Sequence, residues 1–408
     1  MRFFHRKKQK MMKTKFVLPL LAILAFGPCA QAQLPKAQEA KILERFPQAD
    51  ADGDGKLSPA EQKALSKKIM KRYPEADTDG DGQLSPQESQ ALMRKSMARN
   101  NDKPTPQTSK GNSGKPTPDH ANVKYGEHER NVFDLWLAES DKPTPLAIYI
   151  HGGGFKSGSK EKFKSTELEG LLKAGISVAS ISYRLVPAVR QPTPYHDAQR
   201  ALQFMRSKAG EWNIDKDRVA VFGGSAGAQI CMWLAYSDEM ANPDSEDPVE
   251  RESTRVTCVA TSGGQTSMEG KFLEKHMSPI LGEKYSMLEV LGRGQSQEEQ
   301  IAGRLLIWNA KTLEEADAGI KKHSALNLIS PDDPPIFMRY GMAPDAELPD
   351  GDLEKLRGWL IHHSFFGVEL KKKADSLKVE NHLSYRGAEC DYDSTVEFFQ
   401  DKLFPNGD

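Results

Sequence analysis

The residues best placed to do chemistry are Gly223-Gly224-Ser225-Ala226-Gly227. A short apolar run, Arg218-Val219-Ala220-Val221-Phe222, leads into this Gly-x-Ser-x-Gly pattern, and Ala228 to Ala235 leaves it as a buried helix. Strand, tight turn and helix together present a serine hydroxyl above a sheet edge, where a helix N-terminus favours developing negative charge. The flanking glycines are required because a side chain there would meet neighbouring backbone. About 70 residues upstream, the strand-like Leu146–Ile150 runs into His151-Gly152-Gly153-Gly154-Phe155. Successive glycines leave amide N–H groups free to converge on one oxygen, which is what an oxyanion hole needs. The two motifs together predict attack of Ser225 on an acyl carbon. His151 is expected to orient the glycine loop through hydrogen bonds.

A second chemistry stands nearer the N-terminus. Asp50, Asp52 and Asp54 fall at positions 1, 3 and 5 of an EF-hand loop, with Gly55, Lys56, Ser58 and Glu61 at positions 6, 7, 9 and 12. The pattern returns as Asp77, Asp79, Asp81, Gly82, Gln83, Ser85 and Glu88. Carboxylates crowded on a short loop repel until a hard cation takes their oxygens. Ser58-Pro59-Ala60-Glu61 and Ser85-Pro86-Gln87-Glu88 also read as helix starts. Two Ca2+ sites of structural character are predicted, and no cofactor is expected for the serine chemistry.

The elements that must position the serine alternate. Strands are predicted at 131–137, 146–150, 176–183, 218–222, 256–262, 334–341 and 379–385, with helices at 165–174, 194–209 and 394–403. Such alternation gives an α/β domain: a mostly parallel sheet with helices on both faces, preceded here by a small all-α EF-hand pair. Residues 268–322 are helical in tendency, and either shape a pocket over the site or lie on the surface.

Ser182-Tyr183-Arg184-Leu185-Val186-Pro187 and Tyr195-His196-Asp197-Ala198 extend the pattern. With them, the chain from about Asn122 onward resembles the α/β-hydrolase fold of the hormone-sensitive-lipase-like esterases. The resemblance implies a carboxylic ester hydrolase, with Ser225 as nucleophile and Gly152, Gly153 and the Ala226 amide as oxyanion donors. It places the orienting acid after strand 334–341, where Asp345 is nearest and Asp350 and Asp352 are alternatives. It places a histidine after the last strand, but the turn there reads Gly387-Ala388-Glu389-Cys390, and no histidine comes after it. A thiol with an ordinary pKa near 8.5 is a poor general base at neutral pH. On one reading His363 or His362 supplies the base instead, and His363 is the residue assigned. His382 and His196 are read as structural, and Asp197 as a helix-start carboxylate. The rival expectation is a hydrolase fold impaired by Cys390 and kept as a Ca2+-stabilised binding or cell-surface protein.

The chain's 408 residues carry a formal net charge of -1, which gives no footprint for nucleic acid. A basic N-terminus, the apolar run 16–26 and Ala30-Gln31-Ala32 predict a signal peptide over 1–32 and export to the periplasm, surface or medium. Met11 or Met12 is an alternative start, and Cys29 raises a lipoprotein alternative. No later segment reads as a membrane span. The expected order is signal peptide 1–32, EF-hand pair 34–97, flexible linker 98–122 and hydrolase domain 123–408. The linker rests on Lys103-Pro104-Thr105-Pro106, repeated at Lys115-Pro116-Thr117-Pro118. Cys231 and Cys258 are expected as buried thiols. The expected substrate is a small acyl ester or an acylated carbohydrate.

Overall fold

The computed structural model describes residues 54, 56, 58, 115–293, 295–349 and 352–405. The chain divides into two compact units, Met1–Gly111 and Asn112–Asp408. The signal segment lies outside the described residues. So do the predicted metal ligands Asp50, Asp52, Glu61, Asp77, Asp79, Asp81, Gln83, Ser85 and Glu88. Within the first loop, the Lys56 amide donates to Asp54 Oδ1 at 2.8 Å.

The second unit holds eight strands: β1 His120–Lys124, β2 Val132–Trp136, β3 Thr144–Ile150, β4 Ser177–Ile181, β5 Ile214–Gly224, β6 Cys258–Ser262, β7 Ile336–Arg339 and β8 Asn381–Ser384. Its helices are α1 Ser165–Lys173, α2 Thr193–Ser207, α3 Ala226–Tyr236, α4 Gly270–Leu281, α5 Met287–Gly292 and α6 Gln297–Trp308. They continue with α7 Leu313–Lys321, α8 Ala325–Leu328, α9 Leu353–Leu360, α10 Phe365–Leu377 and α11 Thr395–Leu403. The strands form one sheet in the order β1-β2-β4-β3-β5-β6-β7-β8. Pairing is antiparallel from β1 through β2 to β4 and parallel across all the rest.

The central strands are apolar on both faces because helices cover both. Leu146, Ile148, Val219 and Val221 pack into one core with Leu202 of α2, Ile230 of α3 and Phe366 of α10. Ala147, Ala220, Phe222 and Phe337 alternate to the other face, against Leu171 of α1 and Phe399 of α11. Cys231 and Cys258 are fully buried free thiols, and burial pushes both thiol pKa values up. No helix among the described residues is long and apolar enough to cross a membrane.

Two expectations shift. The folded unit begins before residue 123: β1 starts inside the stretch read as linker, Trp136 Nε1 donates to Pro116 O at 2.9 Å, and the Leu137 amide donates to Asp119 Oδ2 at 2.8 Å. The reason is physical. β1 is an edge strand with no fully buried residue, so its composition carries no hydrophobic signal. The helices of residues 268–322 shape a pocket, with Leu291, Ile307, Trp308 and Ile320 lining a cavity that reaches Ser225. Ser286 and Ser296 start α5 and α6 with reciprocal capping boxes.

Candidate active site

The serine turn forms because β5 ends at Gly224 in the middle of the sheet and α3 starts at once. Ser225 occupies the N-cap of α3 with φ 53° and ψ −120°, a left-handed conformation costly for a residue with a Cβ. The turn is held from both sides. Ser225 N donates to Ser262 O at 3.0 Å, and Gln229 N donates to Ser225 O at 3.1 Å. Gly227 is required by close approach, since a Cβ there would stand 2.0 Å from Ile150 O. Thus β3, which ends in the glycine loop, is seated directly on the serine turn.

That loop lies beside the hydroxyl. A Cβ on Gly152 would come within 3.4 Å of Ser225 Cβ. The amides of Gly152, Gly153 and Ala226 donate to no described residue and are free to serve an oxyanion. The loop is propped from beneath by His151, which is fully buried and stacks on Tyr183 at 4.1 Å between ring centroids. His151 Nδ1 lies 2.8 Å from Gly152 O, and Tyr183 Oη donates to His151 O at 2.8 Å. Burial lowers the His151 pKa to about 4, so the ring is neutral and its Nδ1 donates to that carbonyl. Arg184 is gripped by Asp197 through three side-chain contacts at 2.6, 2.9 and 3.0 Å. Asp197 therefore ties the 182–187 segment to α2 and does not start the helix. His196 lies 3.2 Å from Gln199 Oε1, on the helix surface.

The histidine beside the Ser225 hydroxyl is His362, not His363. His362 Nε2 lies 3.0 Å from Ser225 Oγ. Its Nδ1 lies 2.8 Å from Gly358 O. A carbonyl only accepts, so Nδ1 carries the proton and Nε2 presents its lone pair to the serine. His363 faces the opposite way. It is fully buried beside Trp359 and Phe365, and its Nδ1 accepts the Phe365 amide at 3.1 Å. Burial lowers its pKa to about 4. Neighbouring residues beyond a helix end point in different directions, and the sequence does not show which faces the serine.

The acid expected beside the histidine is replaced. Asp345 is exposed and makes no side-chain hydrogen bond to a described residue. Asp350 lies outside the described residues. Asp352 is the N-cap of α9, its Oδ1 accepting the Lys355 amide at 2.8 Å. The Gly358 carbonyl holds His362 instead. It belongs to the last turn of α9, where unpaired carbonyls and the helix dipole favour positive charge. Cys390 is half-buried at the edge of the core between the sheet, α1 and α11, and offers no base to Ser225. In β8 the two ring nitrogens of His382 contact Glu380 at 2.9 Å and Asp391 at 2.8 Å.

Sequence reasoning missed Gln265. Its Nε2 donates to Ile361 O at 2.6 Å, and its Oε1 accepts Gln229 Nε2 at 2.7 Å. Gln265 thereby fixes the backbone next to His362 relative to α3, which carries Ser225. No motif marks a lone glutamine in a loop. Two cavities open on the serine. One of about 520 Å3 is bounded by Gly152, Ser225, Ser262, Gly341 and His362. The other, about 460 Å3, runs under α6 and α7 and is lined by Tyr195, Gln229, Gln295, Gln300, Ile307 and Trp308.

The family model BD-FAE matches residues 133–360, more than half of the chain. An EF-hand model matches residues 43–65 and 75–93. Esterase LipC of Mycobacterium tuberculosis is 30% identical over 36% of this chain and 37% of its own length. Ethyl acetate hydrolase of Pseudomonas putida is 32% identical over 31% of this chain and 42% of its own. The chain thus matches less than half the length of either relative. A truncated carbohydrate esterase from gut microbiota superposes with a TM-score of 0.51 at 20% identity, covering 71% of this chain and 99% of that one. At that identity the likeness shows the fold.

Proposed function

Because the chain belongs to the BD-FAE family, we propose that it hydrolyses carboxylic esters through an acyl-enzyme on Ser225, with His362 as general base and acid. The observation that carries this reading is the 3.0 Å contact between His362 Nε2 and Ser225 Oγ, with the tautomer fixed from behind by Gly358. Ser225 Oγ attacks the ester carbonyl carbon while its proton passes to His362 Nε2. The carbonyl oxygen becomes an oxyanion facing the amides of Gly152, Gly153 and Ala226. Collapse breaks the bond to the alcohol oxygen, which leaves with the proton from His362. Water then attacks the acyl-enzyme, passing its proton to His362, and the acid departs as Ser225 regains its hydrogen. The cationic imidazole formed in each half is stabilised by the C-terminal end of α9 in place of a carboxylate. The rival reading of an impaired fold rested on the want of a base at Cys390, and His362 supplies one.

A small acyl ester, or an acyl group on a hydroxyl-rich carrier such as a carbohydrate, is the substrate class we favour. Amides of Gln229, Gln295 and Gln300 beside Trp308 suit a polar ring with an apolar face. The N-terminal segment supports export, and the EF-hand pair is proposed to bind Ca2+. Its donor set is all oxygen, as a hard cation requires, and the Asp54–Lys56 turn is of the kind that folds such a loop. Asp50, Asp52, Asp54, Lys56 O, Ser58 and Glu61 would hold one ion, and Asp77, Asp79, Asp81, Gln83 O, Ser85 and Glu88 the other.

A burst assay with p-nitrophenyl acetate tests the catalytic reading. A burst stoichiometric with enzyme is expected in the wild type and none in Ser225→Ala. A wild-type protein that neither bursts nor turns over short-chain esters would overturn it.

A further inference from the structure

On the far side of the serine turn from the pocket under α6 and α7 lies a third cleft, of about 390 Å3. It shares Gly224, Ser262 and Gly341 with the cavity over Ser225, so the two adjoin. Lys162, Lys164 and Arg339 line it, with Glu167 as the one acid. Lys162 and Lys164 come from the segment between the glycine loop and α1, and Arg339 ends β7. All three cations are exposed, and none makes an ion pair with a described residue. Their neighbour Lys160 is different: it is buried and paired to Asp134 at 2.6 Å. The cleft lining thus carries three cations against one acid. Burial holds the Glu167 carboxyl above its ordinary pKa, against the pull of Arg339 and Lys164.

The segment after β8 contributes only Thr395 to the cleft lining. An ester held at Ser225 has one half toward the pocket under α6 and α7 and the other free to enter the cleft. We infer that the preferred substrates are esters bearing an anionic group, a carboxylate or sulfate, on the half that enters the Lys162–Lys164–Arg339 cleft. This rests on the esterase reading of the same serine. Exposed cations each add a modest, salt-screened attraction, so the combined preference is on the order of tenfold.

The test uses the full chain and three aryl acetates: 4-acetoxybenzoate, 4-acetoxybenzenesulfonate and the neutral methyl 4-acetoxybenzoate. The pair p-nitrophenyl hemisuccinate and p-nitrophenyl butyrate places the charge on the acyl half. For each ester kcat/KM is measured in the wild type and in Lys162→Gln/Lys164→Gln/Arg339→Gln, so that intrinsic reactivity cancels in the comparison. The anionic-to-neutral ratio should fall about tenfold in the variant for one half of the ester, and fall likewise in the wild type as salt is raised. The carboxylate and sulfonate arms decide which anion is read. Calorimetric binding of the same esters to Ser225→Ala reads the cleft without turnover. Charge-dependent binding with no hydrolysis by the wild type would sink the esterase reading and keep the cleft. Ratios and binding that ignore the three substitutions would overturn the inference, and neutral-ester turnover in the same experiment would leave the esterase reading standing.

Discussion

His362 Nε2 stands 3.0 Å from Ser225 Oγ across 137 residues of chain, and Gly358 O, not a carboxylate, holds the ring's other nitrogen. This relationship fixes which substitutions should be severe. Ser225→Ala and His362→Ala should each reduce kcat/KM on p-nitrophenyl acetate by roughly 10^4-fold or more, and the double variant should lose little further, because the two act as a unit. His363→Gln should cost less than about tenfold. Equal losses at His362 and His363 would show that the pair has been oriented wrongly.

Removal of the supposed acid should be mild. Asp345→Asn is expected to change kcat less than about tenfold, against the roughly 10^4-fold loss seen when a true orienting carboxylate is removed. Cys390→His should not rescue His362→Ala, since Cys390 lies in the core face away from the serine. A large loss in Asp345→Asn would place a carboxylate on His362 during turnover.

The fold was legible where burial shapes composition. The central strands and both glycine motifs stand out because two covered faces demand continuous apolar runs, and because backbone packs on backbone at Gly227. The site was legible only in part. Ser225 and the oxyanion loop are encoded locally, within a few residues. The base is not: His362 reaches the serine only through the end of α9 and the tie of Gln265 to Ile361 O. A resemblance that places histidine after the last strand gives no hint of a helix end between β7 and β8. Edge strand β1 stayed hidden for the opposite reason, having almost nothing apolar to bury.

Stability should fall in mild acid. His151 and His363 are buried and protonate in the folded chain only near pH 4, against an ordinary value of 6.5. Between those limits the unfolded chain binds the extra protons, so stability is full above about pH 6.5 and declines as pH drops toward 4. Each ring contributes a slope of up to about 1.4 kcal/mol per pH unit in that window. Urea unfolding at pH 7, 6 and 5 should show the decline, and His363→Gln should flatten it. An unchanged slope in that variant would assign the acid sensitivity elsewhere.

Gly227→Ala should damage the serine turn by steric means alone. A Cβ 2.0 Å from Ile150 O forces β3 and α3 apart, costing about 1–3 kcal/mol in denaturant unfolding together with most of the activity. Wild-type stability and rate in this variant would contradict the packing of glycine loop on serine turn.

Calcium should raise the melting temperature of the full chain and EDTA should lower it. Calorimetry is expected to count two ions, with dissociation constants on the order of 10^-4 to 10^-3 M, as for extracellular modules. Glu61→Gln and Glu88→Gln should each remove one. Silent titrations would reduce the two loops to solvated acidic turns.

With the histidine on the end of α9, every group proposed to handle protons or charge at the ester carbonyl lies between Gly152 and His362. The C-terminal stretch from α10 through β8 to α11 completes the sheet and covers it without a share in the bond-making. Selection on that stretch is then selection for solidity, so lineages are free to rewrite it without first reinventing the reaction.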